Sequence, residues 1–184
     1  MLRVKEVTSR EQVPEEEREF FDQVAALRGE IRLPYSVYLN HPPLAVRKLH
    51  LGSYVRFETS LPPGVSEVAI CTAAREVDCD FEWYAHSRGA TRAGVGEQTL
   101  EVIKSRSATM GLDATDALVI NLTRQLLNRH RIDDETYGAA VETWGERGVI
   151  ELVATIGYYV MSACWMNALQ IEPPDGTSFR DDAT

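Results

Sequence analysis

The segment Cys79-Asp80-Phe81-Glu82-Trp83-Tyr84-Ala85-His86 places a thiol, a carboxylate and an imidazole close together in the chain. At 100° per residue, positions 79, 82 and 86 fall within about 60° of one another on a helix. These side-chain types suit proton and sulfur chemistry near neutral pH. The i,i+4 spacing of Glu82 and His86 lets the carboxylate orient one ring nitrogen while the other exchanges a proton with substrate. The plainer alternative is a surface helix pair worth about 0.2–0.5 kcal/mol.

Cys79 opens this helix, where the dipole lowers a thiol's pKa. Glu82 one turn away opposes a thiolate, and residue 82 offers no partner thiol. A packing role competes with a redox role for Cys79. Cys71 and Cys164 read as small core residues. Glu67 precedes Cys79 by about 18 Å of straight helix. It reaches the same site only if the chain turns near Val77–Cys79; otherwise it is a first-turn glutamate favoured by the dipole. His41, Glu82 and His86 would make a two-histidine, one-carboxylate metal set, but no spacing ties His41 to the others. No metal and no cofactor are expected. Trp83, Tyr84, Tyr35, Tyr38 and Tyr158 either line an apolar pocket or serve as core and subunit contacts. Trp83 and Tyr84 are adjacent and cannot face the same way.

The elements that must position these groups all read as helices. Pro14 with Glu15, Glu16 and Glu17 starts the first, Phe20, Phe21, Val24 and Leu27 give its apolar face, and Gly29 ends it. Residues 31–40 read as an irregular connection. Pro42 and Pro43 open a second helix through Phe57. After the turn Leu61-Pro62-Pro63-Gly64, Ser66 is the expected N-cap of a third, with Ala69, Ile70, Ala73 and Ala74 on its small face. The fourth runs from near Cys79 to before Gly94, and the fifth from about Glu97 to Arg106. Asp113 caps a sixth, with Leu118, Leu122 and Leu126 at helical spacing. Asp133 caps a seventh. The eighth, about Val149 to Ile171, is apolar on nearly all sides and should be surrounded by protein. No strand pattern competes, so the fold class is all-α, a helical bundle.

Size and composition bound the rest. A chain of 184 residues supports one domain. Residues 1–171 read as that helical domain and 172–184 as a mobile polar C-terminal tail. The net charge of −9 argues against nucleic-acid and anionic-membrane partners. Sparse cysteines fit a reducing cytoplasm. The N-terminus lacks an apolar core, so no secretory signal is expected.

Around these residues the chain resembles the carboxymuconolactone decarboxylase family, which includes the alkylhydroperoxidase D-like proteins. The likeness rests on Leu61-Pro62-Pro63, Ser66-Glu67-Val68-Ala69-Ile70, the Cys79–His86 segment and Ala93-Gly94-Val95. Gly157-Tyr158-Tyr159-Val160-Met161 and Asn167-Ala168-Leu169 look like the closing helix of these proteins. It covers most of residues 30–171. The resemblance implies an alkylhydroperoxidase D-like bundle that assembles as a homo-oligomer (dimer, trimer or hexamer), with its pocket near a subunit contact. In the peroxidase branch, a Cys-x-x-Cys pair follows a glutamate by twelve residues and precedes a histidine by four. Here Glu67, Cys79 and His86 keep that spacing, but Glu82 replaces the second cysteine, which removes local dithiol cycling. The decarboxylase branch, which works through acid–base groups, is nearer in chemical kind. The resemblance therefore implies an enzyme for a small organic acid or lactone, with His86 as acid/base, Glu82 as its orienter or second proton carrier, and Glu67 in support. Thiol-dependent (peroxiredoxin-type) peroxide reduction through Cys79 and a non-catalytic small-molecule binding protein are the alternatives.

Overall fold

The computed structural model describes residues 2–178. Those residues form helices and connections without a strand. The helices are α1 (Arg18–Arg28), α2 (Tyr35–Tyr38), α3 (Pro42–Phe57), α4 (Pro63–Glu76), α5 (Asp80–Arg92), α6 (Glu97–Lys104), α7 (Ala114–Arg129) and α8 (Asp134–Leu169). Short 3-10 turns at Arg10–Gln12 and Glu15–Glu17 lead into α1.

The central element is α4, which packs against α5, α6, α7 and α8. Its residues explain the position. Val65, Val68, Ala69, Ile70, Cys71, Thr72, Ala73 and Ala74 are all buried, so the helix presents small apolar groups around most of its circumference. Small side chains let several neighbours approach closely. The helix starts at Pro63, not at the expected Ser66 cap, which sits inside the first turn and is buried. Pro63 supplies a helical φ at a position that needs no N–H, so the proline turn is absorbed into the helix.

Two apolar cores lie on either side of a seam. One joins α4, α5, α7 and α8 through residues such as Trp83, Ile120, Leu122, Leu152 and Ile156. Fully burying a side chain such as Leu152 stabilises the fold by about 1.5–3 kcal/mol. The other joins α1, α2, α3 and the end of α8 through Val24, Tyr38, Leu49, Ala163 and Met166, with Cys79 and Phe81 from the start of α5. Val55, Ile70, Tyr158 and Tyr159 form a small cluster between them.

The expected seventh and eighth helices run together as α8, interrupted at Gly145 (φ 68°, ψ 171°). Only glycine takes such a backbone without strain. Asp133 caps the start, accepting from the Thr136 N–H at 2.9 Å. α8 is long and apolar enough to cross a membrane by length and composition, but its apolar window is mostly buried within the protein. The burial is not all-round, as the sequence had suggested. Ile150, Ala154, Gly157, Cys164 and Ala168 form an exposed stripe. Cys164 is thus a surface residue and not a core one, because positions 163 and 166 take the inward direction. Within the expected irregular connection 31–40, α2 makes one short, fully buried turn. Residues 172–178 of the polar tail dock beside α5, through Arg88–Asp175 at 2.9 Å and Ser178–Asp80 at 3.2 Å. The remaining tail, 179–184, lies outside the described residues.

Candidate active site

The site begins with the reversal between α4 and α5. Asp78 takes a left-handed conformation (φ 49°), and the Cys79 N–H returns to the Ala74 carbonyl at 2.8 Å. An Arg75–Asp78 ion pair closes the turn. The reversal is tight enough that α5 folds back along α4 and brings Glu67 to His86. Glu67 Oε2 lies 2.8 Å from His86 Nδ1. A carboxylate oxygen can only accept, so Nδ1 carries the proton. Gly89, one turn beyond His86, makes room for this contact: a Cβ there would stand 2.8 Å from Glu67 Oε1.

The other ring nitrogen faces Glu82. Nε2 is 3.5 Å from Glu82 Oε2, a long contact. The sequence assigns the orienting role to Glu82, but the short bond belongs to Glu67. Glu82 is 5% exposed. Burial pushes its carboxyl above the usual carboxylate range, against the pull of His86 and Lys48. The imidazole also stands edge-on to the Tyr159 ring, 4.7 Å between centroids.

Glu82 and His86 both open onto a cavity of about 250 Å³ at the seam. Tyr35, Tyr158 and Met166 contribute its apolar wall; Arg28, Lys48 and Arg56 contribute cations. Such a space, apolar with a few convergent polar groups, suits a small ligand. Lys48 is 5% exposed and donates from Nζ to the Tyr158 hydroxyl at 2.9 Å. Aromatic rings surround that nitrogen, with centroids at 4.5 Å (Tyr158), 4.7 Å (Tyr38), 5.8 Å (Tyr35) and 6.0 Å (Trp165). The ring faces favour an ammonium, yet burial wins and lowers the amine to about 8. Gly52 makes this packing possible, because a Cβ there would overlap the Tyr158 hydroxyl.

Cys79 lies behind the cavity wall. It is 1% exposed, and its Sγ contacts Met166 Sδ at 3.9 Å. Burial pushes its thiol up to about 12, outweighing the backbone N–H groups that would lower it. The helix start therefore does not activate this sulfur. His41 lines a separate apolar cavity with Val37, Leu44 and Trp165 and does not meet Glu82 or His86. Among the described residues no cluster of three or more His, Cys, Asp or Glu could hold a metal. Trp83 joins the α4–α7–α8 core, whereas Tyr84 stacks under Arg88 at 3.8 Å.

Sequence reasoning missed Lys48, Arg28, Arg56 and Tyr159. Only Lys48 left a signal. It interrupts Ala45, Leu49, Gly52 and Val55, an otherwise small and apolar face at helical spacing.

No protein-family model matches the sequence, and no curated protein matches it. Solved structures do match. The alkylhydroperoxidase AhpD core structure of an uncharacterized peroxidase-related protein from Ralstonia eutropha JMP134 superposes with a TM-score of 0.75, over 95% of this chain and 93% of that one, at 12% identity. An uncharacterized peroxidase-related protein from Silicibacter sp. TM1040 gives 0.73, over 97% and 99%, at 14% identity. The chain thus has the alkylhydroperoxidase D-like helical fold.

Proposed function

We propose that this protein is an acid–base enzyme acting on a small organic acid, lactone or related carbonyl compound, in the manner of carboxymuconolactone decarboxylases. One observation carries the reading. His86 is fixed through Nδ1 by Glu67 at 2.8 Å, while Nε2 faces Glu82 at 3.5 Å on the wall of a cavity. A fixed imidazole next to a carboxyl whose affinity for a proton is raised by burial can take a proton from one substrate atom and return one to another. Arg28, Arg56 and Lys48 give the cavity its attraction for an anionic substrate. The test is turnover of a panel of small lactones and β-keto acids by wild type and His86→Ala. Loss of about 10²–10⁴ in kcat/KM is expected; full activity in the variant would sink the proposal.

The names of the structural neighbours favour a second reading, thiol-dependent peroxide reduction through Cys79. It requires an external thiol to resolve a sulfenic acid, since residue 82 is a glutamate. A thiol held up near 12 weighs against it. Peroxide consumption with an added dithiol, compared between wild type and Cys79→Ser, decides the matter: equal rates eliminate the thiol. If neither assay shows turnover, a non-catalytic small-molecule binding role is left. We further propose a cytoplasmic homo-oligomer in which the exposed stripe of α8 is covered by another subunit. Light scattering that returned the mass of a single chain would overturn that.

A further inference from the structure

We propose that Lys48 is a nucleophilic amine, and that the cavity takes β-keto acids by forming an imine between Nζ and the substrate ketone. This deepens the acid–base reading and rests on it for the proton transfers. Three observations converge. Lys48 is buried in the middle of α3, on a face that is otherwise small and apolar. Lys48 lines the same cavity as Glu82 and His86. Among the described residues its hydrogen bond goes to the Tyr158 hydroxyl, a neutral partner; aromatic rings stand close around it, and the Glu82 carboxyl lies on the same cavity without a bond to it. A lysine kept only for charge would be matched with a carboxylate at bonding distance. Burial shifts this nitrogen toward the free amine, against the ring faces and the Glu82 carboxyl, and the amine's lone pair is the reactive form.

The reaction balances without any further reagent. The neutral amine attacks the ketone carbon, a C–N bond forms, and the carbonyl oxygen takes a proton from the Glu82 carboxyl. A proton from the attached nitrogen passes to that hydroxyl, which leaves as water and gives an iminium cation. The bond to the carboxylate carbon then breaks, its electron pair flows into the C=N⁺ unit, and carbon dioxide departs from an enamine. The iminium is the electron sink that decarboxylation needs. Protonated His86 delivers a proton to the enamine carbon. Water adds to the resulting iminium, the C–N bond breaks, and ketone and amine separate with release of a proton, which returns to Glu82 while one solvent proton restores His86. The sum is keto acid plus one proton giving ketone plus carbon dioxide. Arg28 and Arg56 supply cations for the carboxylate as it binds.

The chain suits a direct test, because its lysines are Lys5, Lys48 and Lys104. Incubation of the full-length protein with acetoacetate and sodium borohydride, followed by intact-mass and peptide mapping, should give one reduced adduct per chain, on Lys48. Lys48→Arg keeps the cation but cannot form the imine; it should show no adduct and lose acetoacetate decarboxylation to background. An unmodified Lys48, or equal labelling of Lys5, Lys48 and Lys104, overturns the proposal. So does keto-acid turnover retained in Lys48→Arg. Should that variant fail to fold, mapping of the wild-type protein alone decides. The two readings fail separately. Lactone turnover that depends on His86 but survives Lys48→Arg, with no adduct, removes the amine and spares the acid–base site. A Lys48 adduct without any His86-dependent turnover does the reverse.

Discussion

Glu82 and Glu151 are both buried carboxyls, 5% and 4% exposed, and their surroundings could hardly differ more. Glu151, on α8, accepts the Ser60 N–H at 2.8 Å and the Ser60 hydroxyl at 2.6 Å on one oxygen, and the Arg147 guanidinium at 2.9 Å on the other. The Ser60 hydroxyl leads in holding its carboxyl below the usual range. That carboxylate is satisfied and pins the loop after α3 to α8. Glu82 has a long contact to His86, a lysine across a cavity, and apolar neighbours. Its pKa moves the opposite way because desolvation exceeds what its partners return. Burial by itself therefore does not separate structural from chemical carboxyls. The count of short bonds to the ionised form does.

The comparison is most sharply tested by charge removal at Glu82. Glu82→Gln keeps the shape and should lower kcat/KM by about 10²–10⁴. Its unfolding midpoint in urea at neutral pH should equal or exceed that of wild type, since a poorly paired buried charge is replaced by a neutral group. A strongly destabilised Gln variant would show that Glu82 is structural like Glu151. Next in size is Gly89→Ala, whose new methyl presses on the Glu67 carboxylate. A misplacement approaching 1 Å costs about 10²-fold, so a loss on the order of tenfold is expected in kcat, with stability little changed. Glu151→Ala should show the converse pattern. It loses roughly 1–3 kcal/mol in denaturant unfolding while kcat/KM stays within about twofold of wild type, the usual behaviour of a site that touches no reacting group.

The smallest effect is in pH dependence, and its sign is diagnostic. Glu82's folded pKa lies above the ordinary 4.5, so the folded state binds the extra proton. Its contribution to stability is full below 4.5 and is lost as pH rises through the folded value. Glu151's folded pKa lies below 4.5, so its contribution is full above that value and fades as pH falls. Unfolding free energies measured from pH 3 to 7 for wild type, Glu82→Gln and Glu151→Gln should give difference curves of opposite slope. Parallel curves would erase the distinction.

Much of the fold could be read from local punctuation. Pro42, Gly29, Asp113 and Asp133 mark ends that the structure keeps, with Asp113 accepting the Thr115 N–H at 2.8 Å. Local signals misled where two competed. Ser66 looks like a cap, but Pro63 three residues earlier starts the helix. Helical spacing reaches Glu82 and His86, which share the cavity, and also Cys79, which lies behind its wall. Whether Glu67 joined them depended on the left-handed turn at Asp78, a residue whose type alone does not announce it. Lys48 and Tyr158 could not be paired from sequence at all, because only the packing of α3 on α8 brings them together.

That separation has a consequence for how the pocket comes apart. His86 and Glu67 are 19 positions apart within one helical hairpin, whereas Lys48 and Tyr158 are 110 apart. Closing the longer loop costs more chain entropy and waits on the whole bundle. Fluctuations that loosen α3 from α8 therefore wet the amine and restore its ordinary hydration while the imidazole keeps its anchor. The half of the pocket built from neighbours in sequence outlasts the half built from distant ones.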